Sequence, residues 1–156
     1  DAELYTEFTA LENRMRSFGQ EDIEINVESF VPHDQEVILG VKYDATFGPV
    51  ILCGMGGIFT EILKDYALRV APLTMSDAED MLSSLKAFPV LQKAAAKGMP
   101  HIASLTAALL RLSELAVELR GKISAVDINP VGLNSDSSQL TVLDAKIHLE
   151  EKFGGF

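Results

Sequence analysis

Between His101 and Gly121 the apolar residues Ile102, Leu105, Leu109, Leu112, Ala116 and Leu119 recur at alternating intervals of three and four. That spacing returns a side chain to the same side of an α-helix once per turn, so the stretch predicts a long helix with one buried face, ended by Gly121. A helix with such a stripe must lie on another layer. The β-rich runs Ile123 to Ile128 and Leu140 to Ile147 follow it, joined by the polar loop Asn134-Ser135-Asp136-Ser137-Ser138, and read as two strands side by side in a hairpin.

The first half reads in the same way. Leu4, Phe8, Leu11, Met15 and Phe18 repeat at helical spacing, with Gly19 placed to cap a surface helix. Ile23, Ile25 and Val27 alternate with polar residues and predict a strand over 22–31 with one wet face. Glu36 to Lys42 and Val50 to Gly54 flank Tyr43-Asp44-Ala45-Thr46-Phe47-Gly48-Pro49, whose turn formers predict an antiparallel hairpin. Ile58 to Leu68 reads as a further short strand, stopped by Pro72, and Ser76-Asp77-Ala78-Glu79 as the capping box of a helix ending near Ala87. The sum is an α+β fold: a largely antiparallel sheet, with strands at 22–31, 36–43, 49–54, 123–129 and 140–147, and helices packed on one face. At 156 residues the chain reads as a single domain, 1–156, with one ordinary core.

Charge and composition exclude several functions. A net charge of −10 repels a phosphate backbone, and the thirteen basic residues are scattered, so nucleic acid is not an expected partner. No apolar run approaches the roughly 20 residues that span a bilayer. The lone Cys53 excludes an internal disulfide, which fits a reducing, cytoplasmic setting, and its apolar neighbours Val50-Ile51-Leu52 mark it as a small core residue. His33, His101 and His148 stand apart from one another, with no partner at metal or nucleophile spacing, and are read as non-catalytic.

Asp127-Ile128-Asn129-Pro130 and Leu143-Asp144-Ala145-Lys146 carry the strongest local signal. Period two puts Asp127 and Asn129 on one sheet face, and Asp144 joins them if the register allows. Three oxygen donors so placed suit Mg2+, which keeps several waters and shares its shell with nucleotide phosphates. Spacing alone favours the plainer reading, in which Asp127 and Asn129 cap a turn before Pro130. Gly54-Met55-Gly56-Gly57 has equal claims as an approach to an anion and as a bulge or tight turn; it is neither a Walker P-loop nor a dinucleotide fingerprint. Glu61, Asp65 and Arg69 recur at helical spacing, as in an ordinary ion-pair ladder.

Taken in order, Glu36-Val37-Ile38-Leu39-Gly40-Val41, Asp44, Phe47-Gly48-Pro49, Gly54-Met55-Gly56-Gly57-Ile58, Glu61, Asp65, Arg69, Ala71-Pro72-Leu73 and Asp127-Ile128-Asn129-Pro130 resemble the ATP-grasp domain of NDP-forming acyl-CoA synthetases. That group contains ADP-forming acetate-CoA ligase and, more distantly, the succinyl-CoA synthetase beta subunit. The resemblance runs from Glu28 to Ile147 and implies the second, carboxyl-terminal lobe of an ATP-grasp domain, a fragment of a larger protein whose first lobe lies upstream of Asp1.

The resemblance further implies ATP or ADP with Mg2+ as cofactors. The backbone of Glu28, Ser29, Phe30 and Val31 would meet adenine from a hinge strand, Glu36 would accept ribose hydroxyls, and Asn129 with Asp144 would hold Mg2+ with Asp127 beside it. No catalytic residue is assigned. The implied reaction interconverts acyl-CoA, ADP and phosphate with acid, CoA and ATP through a phosphohistidine carried elsewhere. The implied partners are the remainder of the synthetase, namely the first ATP-grasp lobe and the CoA-binding and phosphohistidine domains, and the isolated chain is expected to be inactive. An alternative parent is a protein lysine acetyltransferase in which this part senses nucleotide or acyl-CoA. Lys97-Gly98 stands where the family commonly has Arg-Gly, which keeps charge and loses bidentate geometry.

Overall fold

The computed structural model describes residues 2–20, 22–57, 64–96, 101–134 and 139–150. They fall into two compact units, Asp1–Phe30 and Val31–Phe156. The first contains helix α1, Ala2–Ser17. Gly19 ends it at φ +81 with its amide on the Arg16 carbonyl, a left-handed cap of the kind glycine adopts without a Cβ penalty.

The alternation at Ile23, Ile25 and Val27 does not become a strand: the described residues of 22–33 carry none, and the sheet begins at Gln35. Alternating polarity selects an extended chain, whereas a strand also needs a ladder partner, which periodicity does not specify. Glu28 to Val31 accordingly lies outside the sheet.

The second unit is a six-stranded antiparallel sheet. It contains β1 (Gln35–Asp44), β2 (Gly48–Met55), β3 (Tyr66–Val70), β4 (Ile123–Leu133), β5 (Leu140–Val142) and β6 (Ala145–Leu149). The order is β3-β2-β1-β4, and the far edge of β4 pairs with β5 at Val131 to Leu133 and with β6 at Ile123 to Ile128. The closing hairpin of the sequence reading is thus present, with its second arm divided into two short strands. In the β1–β2 hairpin, Asp44 Oδ1 accepts the amides of Thr46 (2.8 Å) and Phe47 (3.0 Å), and these bonds hold its carboxyl below the usual carboxylate range.

Helices α2 (Met75–Ser83), α3 (Phe88–Ala96) and α4 (His101–Glu118) complete the unit. Helix α4 packs on β1 and β2 and buries Leu105, Leu109, Leu112 and Ala116 against Val37, Leu39, Val41 and Ile51. Two polar bonds fix its position: Ser113 Oγ accepts the Leu73 amide at 2.8 Å, and the Tyr43 hydroxyl donates to the Ala116 carbonyl. The capping box of α2 is Thr74 with Asp77, two residues before the expected pair. Both positions fit the same pattern, and sequence alone does not rank them. Helix α3 was not expected, because Pro89 reads as a breaker although a proline in the first helical turn removes only an amide that has no partner there. Among the described residues no helix is long and apolar enough to cross a membrane.

Candidate functional site

One face of the sheet is spent on the helices, through Val37, Leu39, Val41 and their register partners. The opposite face is open. By alternation it takes Glu36, Ile38, Gly40 and Lys42 from β1, Val50 and Leu52 from β2, and Tyr66 and Leu68 from β3. From β4 it takes Ala125 and Asp127, paired through the register with His148 and Lys146. A trough of about 750 Å³ lies over this face, and Gly40, facing Leu52 and Asp127 in register, contributes no side chain to fill it.

At Asn129 and Pro130 the β1–β4 register shifts: Leu39 faces Ile128 while Val37 faces Val131, so β4 carries an extra residue there. A proline has no amide to give a ladder, and a bulge is where a strand tolerates one. The other edge of β4 holds the same two residues: the Asn129 amide donates to the Asp144 carbonyl and the Leu143 amide to the Pro130 carbonyl, each at 3.0 Å. Asp127 and Asn129 are both exposed, with half-buried Ile128 between them. Asp144 is thus the immediate neighbour of Asn129 across the ladder, while Asp127 faces Lys146. Asp144 Oδ2 lies 3.7 Å from Lys146 Nζ, a loose and exposed ion pair. Among the described residues no three His, Cys, Asp or Glu side chains gather into a metal cluster. The oxygen donors here are sparse, like those of sites that share their ion with a nucleotide.

Glu36 stands at the other end of β1, beside a second cavity of about 310 Å³ lined by His33, Met55, Gly56, Gly57 and Val90. Gly56 donates its amide to the Glu36 carbonyl at 2.7 Å, and a Cβ on Gly56 would meet Glu36 Cβ at 2.6 Å. At Gly54 a Cβ would stand 3.0 Å from the Asp65 carbonyl. Both glycines therefore serve close backbone approach, and the Gly56 amide is already spent within the protein. Only Gly57, at φ +62 with open space around it, needs glycine for its conformation. Gly56→Ala is expected to lower stability by about 1–3 kcal/mol through overpacking against β1, seen as a lower urea midpoint with an unchanged m-value.

His33, read from sequence as an isolated loop residue, is bonded to Glu36. Its Nε2 lies 2.8 Å from Glu36 Oε1 and its Nδ1 2.9 Å from the Val31 carbonyl oxygen. These two bonds, Val31's first, raise its pKa above 6.5. A His and a Glu three residues apart form no recognised pattern, so local spacing does not mark the pair. Glu28, Ser29 and Phe30 belong to the first unit and Val31 opens the second. Asp65 and Arg69 share no helix: Asp65 is buried before β3 and Arg69 lies within it. Glu61, Ile58, Lys97 and Gly98 lie outside the described residues, as does the loop 135–138. Burial, and then the charge of Asp65, push the Cys53 thiol up to about 12, as suits an inert core residue.

Comparison with known proteins agrees with this architecture. Residues 1–149 match the family described as an ATP-grasp domain. The chain is 41% identical over 119 residues to the beta subunit of acetate-CoA ligase (ADP-forming) I of Pyrococcus furiosus, covering 76% of this chain and 50% of that subunit. It is 32% identical over 151 residues to the ADP-forming 4-hydroxybutyrate-CoA ligase of Nitrosopumilus maritimus, covering 96% of this chain and 22% of that protein. Among solved structures it is similar to the dinucleotide-forming acetyl-coenzyme A synthetase 1 of Candidatus Korarchaeum cryptofilum in complex with coenzyme A and Mg-AMPPCP. The TM-score there is 0.68 at 36% identity, covering 78% of this chain and 55% of that one. The chain thus spans half the length of the Pyrococcus subunit, or less of the larger relative. With its sequence matched over 149 residues and its sheet shared with the solved relative, the chain belongs to the ATP-grasp domain family.

Proposed function

We propose that this chain is the second ATP-grasp lobe of an ADP-forming acyl-CoA synthetase and that its open sheet face binds Mg-nucleotide. The observation that carries the reading is the Asn129–Asp144 backbone bond, which sets two oxygen-bearing residues side by side, two positions along β4 from Asp127. Glu36 lies four residues along β1 from Gly40, the register partner of Asp127, about 13 Å at strand rise. A nucleoside triphosphate can bridge such a span, with ribose at one end and terminal phosphates at the other. Within the second unit, Glu36 accepts the ribose diol, the Val31 backbone meets adenine, and Asn129, Asp144 and Asp127 hold Mg2+.

The donor set fits that ion. All three side chains offer hard oxygen, and the exposure of Asp127 and Asn129 leaves room for phosphate oxygens and water. When bound, Mg2+ neutralises charge on the phosphates. The chain's own residues position: the end of the β4–β6 ladder fixes Asn129 against Asp144, and Gly40, the register partner of Asp127, leaves the floor beside that carboxylate free of a side chain. The first lobe and the domains bearing CoA and the phosphohistidine are supplied by the remainder of the synthetase. The Korarchaeum relative, with a phosphohistidine segment pointing towards its nucleotide-binding site, supports this division of labour.

Acid, CoA and ATP then yield acyl-CoA, ADP and phosphate. Incubating the full-length protein with ATP, CoA and acetate or a related small acid should give thioester, ADP and phosphate in equal amounts. AMP with pyrophosphate would overturn the reading. The chain alone should fall far below the roughly 1 per second usual for enzymes.

A further inference from the structure

We propose that His33 is a positioning residue for the nucleotide site, a brace that ties the Val31 carbonyl to the Glu36 carboxylate and so fixes how Glu36 presents its second oxygen to the ribose. The proposal rests on Glu36 as ribose acceptor. Each member of the pair is seated beside a glycine. A Cβ on Gly132 of β4 would meet His33 Cβ at 3.1 Å and Cγ at 3.3 Å, so His33 packs on bare backbone there. Gly56, just past β2, likewise leaves room for Glu36, whose Cβ would lie 2.6 Å from an added methyl. Oε1 of Glu36 is occupied by His33 Nε2 at 2.8 Å, which leaves Oε2 outside that bond on a residue that lines the cavity.

The two bonds cannot both survive deprotonation. A carbonyl and a carboxylate only accept, and a neutral imidazole carries one N–H. The full brace is therefore the imidazolium. The charged groups facing the ring among the described residues are Glu36 and Asp34, both acidic; Gly132 from β4, Met55 from β2, Gly56 just after it and Val90 from α3 bring no charge. Because the folded pKa lies above 6.5, the brace is complete below that value and is lost as pH rises through the raised pKa. One of the two ties is then lost, Glu36 is held less firmly, and selectivity for the ribose hydroxyls should fall as pH rises.

The test compares binding of ATP and 2′,3′-dideoxy-ATP to the full-length protein by calorimetry. The ligands carry the same phosphates, so the ratio of their affinities cancels phosphate titration. Between about pH 6 and about pH 8.5 the preference for ATP should fall by about 3- to 10-fold, the scale of one charge-assisted hydrogen bond, and His33→Gln should make the ratio flat. The His33 ring, followed by NMR, should titrate at lower pH in Glu36→Gln than in the wild type. A pH-dependent ratio that persists in His33→Gln, or a ring titration unmoved by Glu36→Gln, overturns the brace. Should Glu36→Gln leave the ribose preference untouched, the ribose reading itself falls, and the brace with it.

Discussion

Replacing Asp65 with alanine is expected to destabilise the protein by about 2–6 kcal/mol, because it strips the acceptors from two backbone amides that are each costly to leave unpaired. Asp65 is 3% exposed. Its Oδ1 accepts the Lys86 amide at 2.7 Å and its Oδ2 the Ala87 amide at 2.9 Å, so one carboxylate ties the segment before β3 to the turn between α2 and α3. Its own carbonyl accepts the Met55 amide at 3.2 Å, which anchors the same point to the end of β2. Asp65→Asn should cost less, about 1–3 kcal/mol, since one oxygen remains and the amide nitrogen faces a donor. Urea unfolding of both variants checks the order. An alanine variant within about 0.5 kcal/mol of wild type, the range of an ordinary surface change, would refute a structural role for Asp65.

Asp65 also shows where sequence reading stops. At helical spacing from Glu61 and Arg69 it looked like one rung of a surface ladder, because local spacing was the only information available. Its real partners stand 21 and 22 residues away. What was legible was local and periodic. The α4 stripe, the β1–β2 hairpin with Asp44 in its turn, and the neighbouring strands β4, which carries Asp127, and β6, which Asp144 precedes, all follow from periods of 3.6 or 2 and from turn chemistry. The extended run at 22–31 had the right period and yet forms no strand, since pairing is a property of the neighbour. The His33–Glu36 pair was invisible for a related reason. Gly132 and Gly56 shape the space around it, and they lie 99 and 20 residues from His33 and Glu36 in the chain. Glycines that look like turn formers in sequence act there as absent side chains.

Removing one charge from the proposed metal site should have the second large effect, this time on chemistry and not on stability. In the full-length protein, Asp144→Asn is expected to lower kcat/KM for Mg-nucleotide by about 10²- to 10³-fold, equivalent to about 3–4 kcal/mol of lost charge stabilisation. Folding should be nearly untouched. Asp144 is 55% exposed, its ion pair with Lys146 is loose at 3.7 Å, and its structural bond to Asn129 runs through the backbone carbonyl, which asparagine retains. Such a surface change costs at most about 1 kcal/mol. The separation of the two effects is the signature: a variant with wild-type unfolding, normal ribose preference and a raised requirement for Mg2+. Asn129→Ala should show the same pattern, because Asn129 meets Asp144 through main chain while its side chain stands exposed on β4. Asp127→Asn should be milder, since Asp127 faces Lys146 in register and acts beside the ion. If Asp144→Asn retained wild-type turnover at limiting Mg2+, the metal role would pass from Asp144, and the Asn129–Asp144 bond would be simply the ladder contact that carries β4 past its bulge.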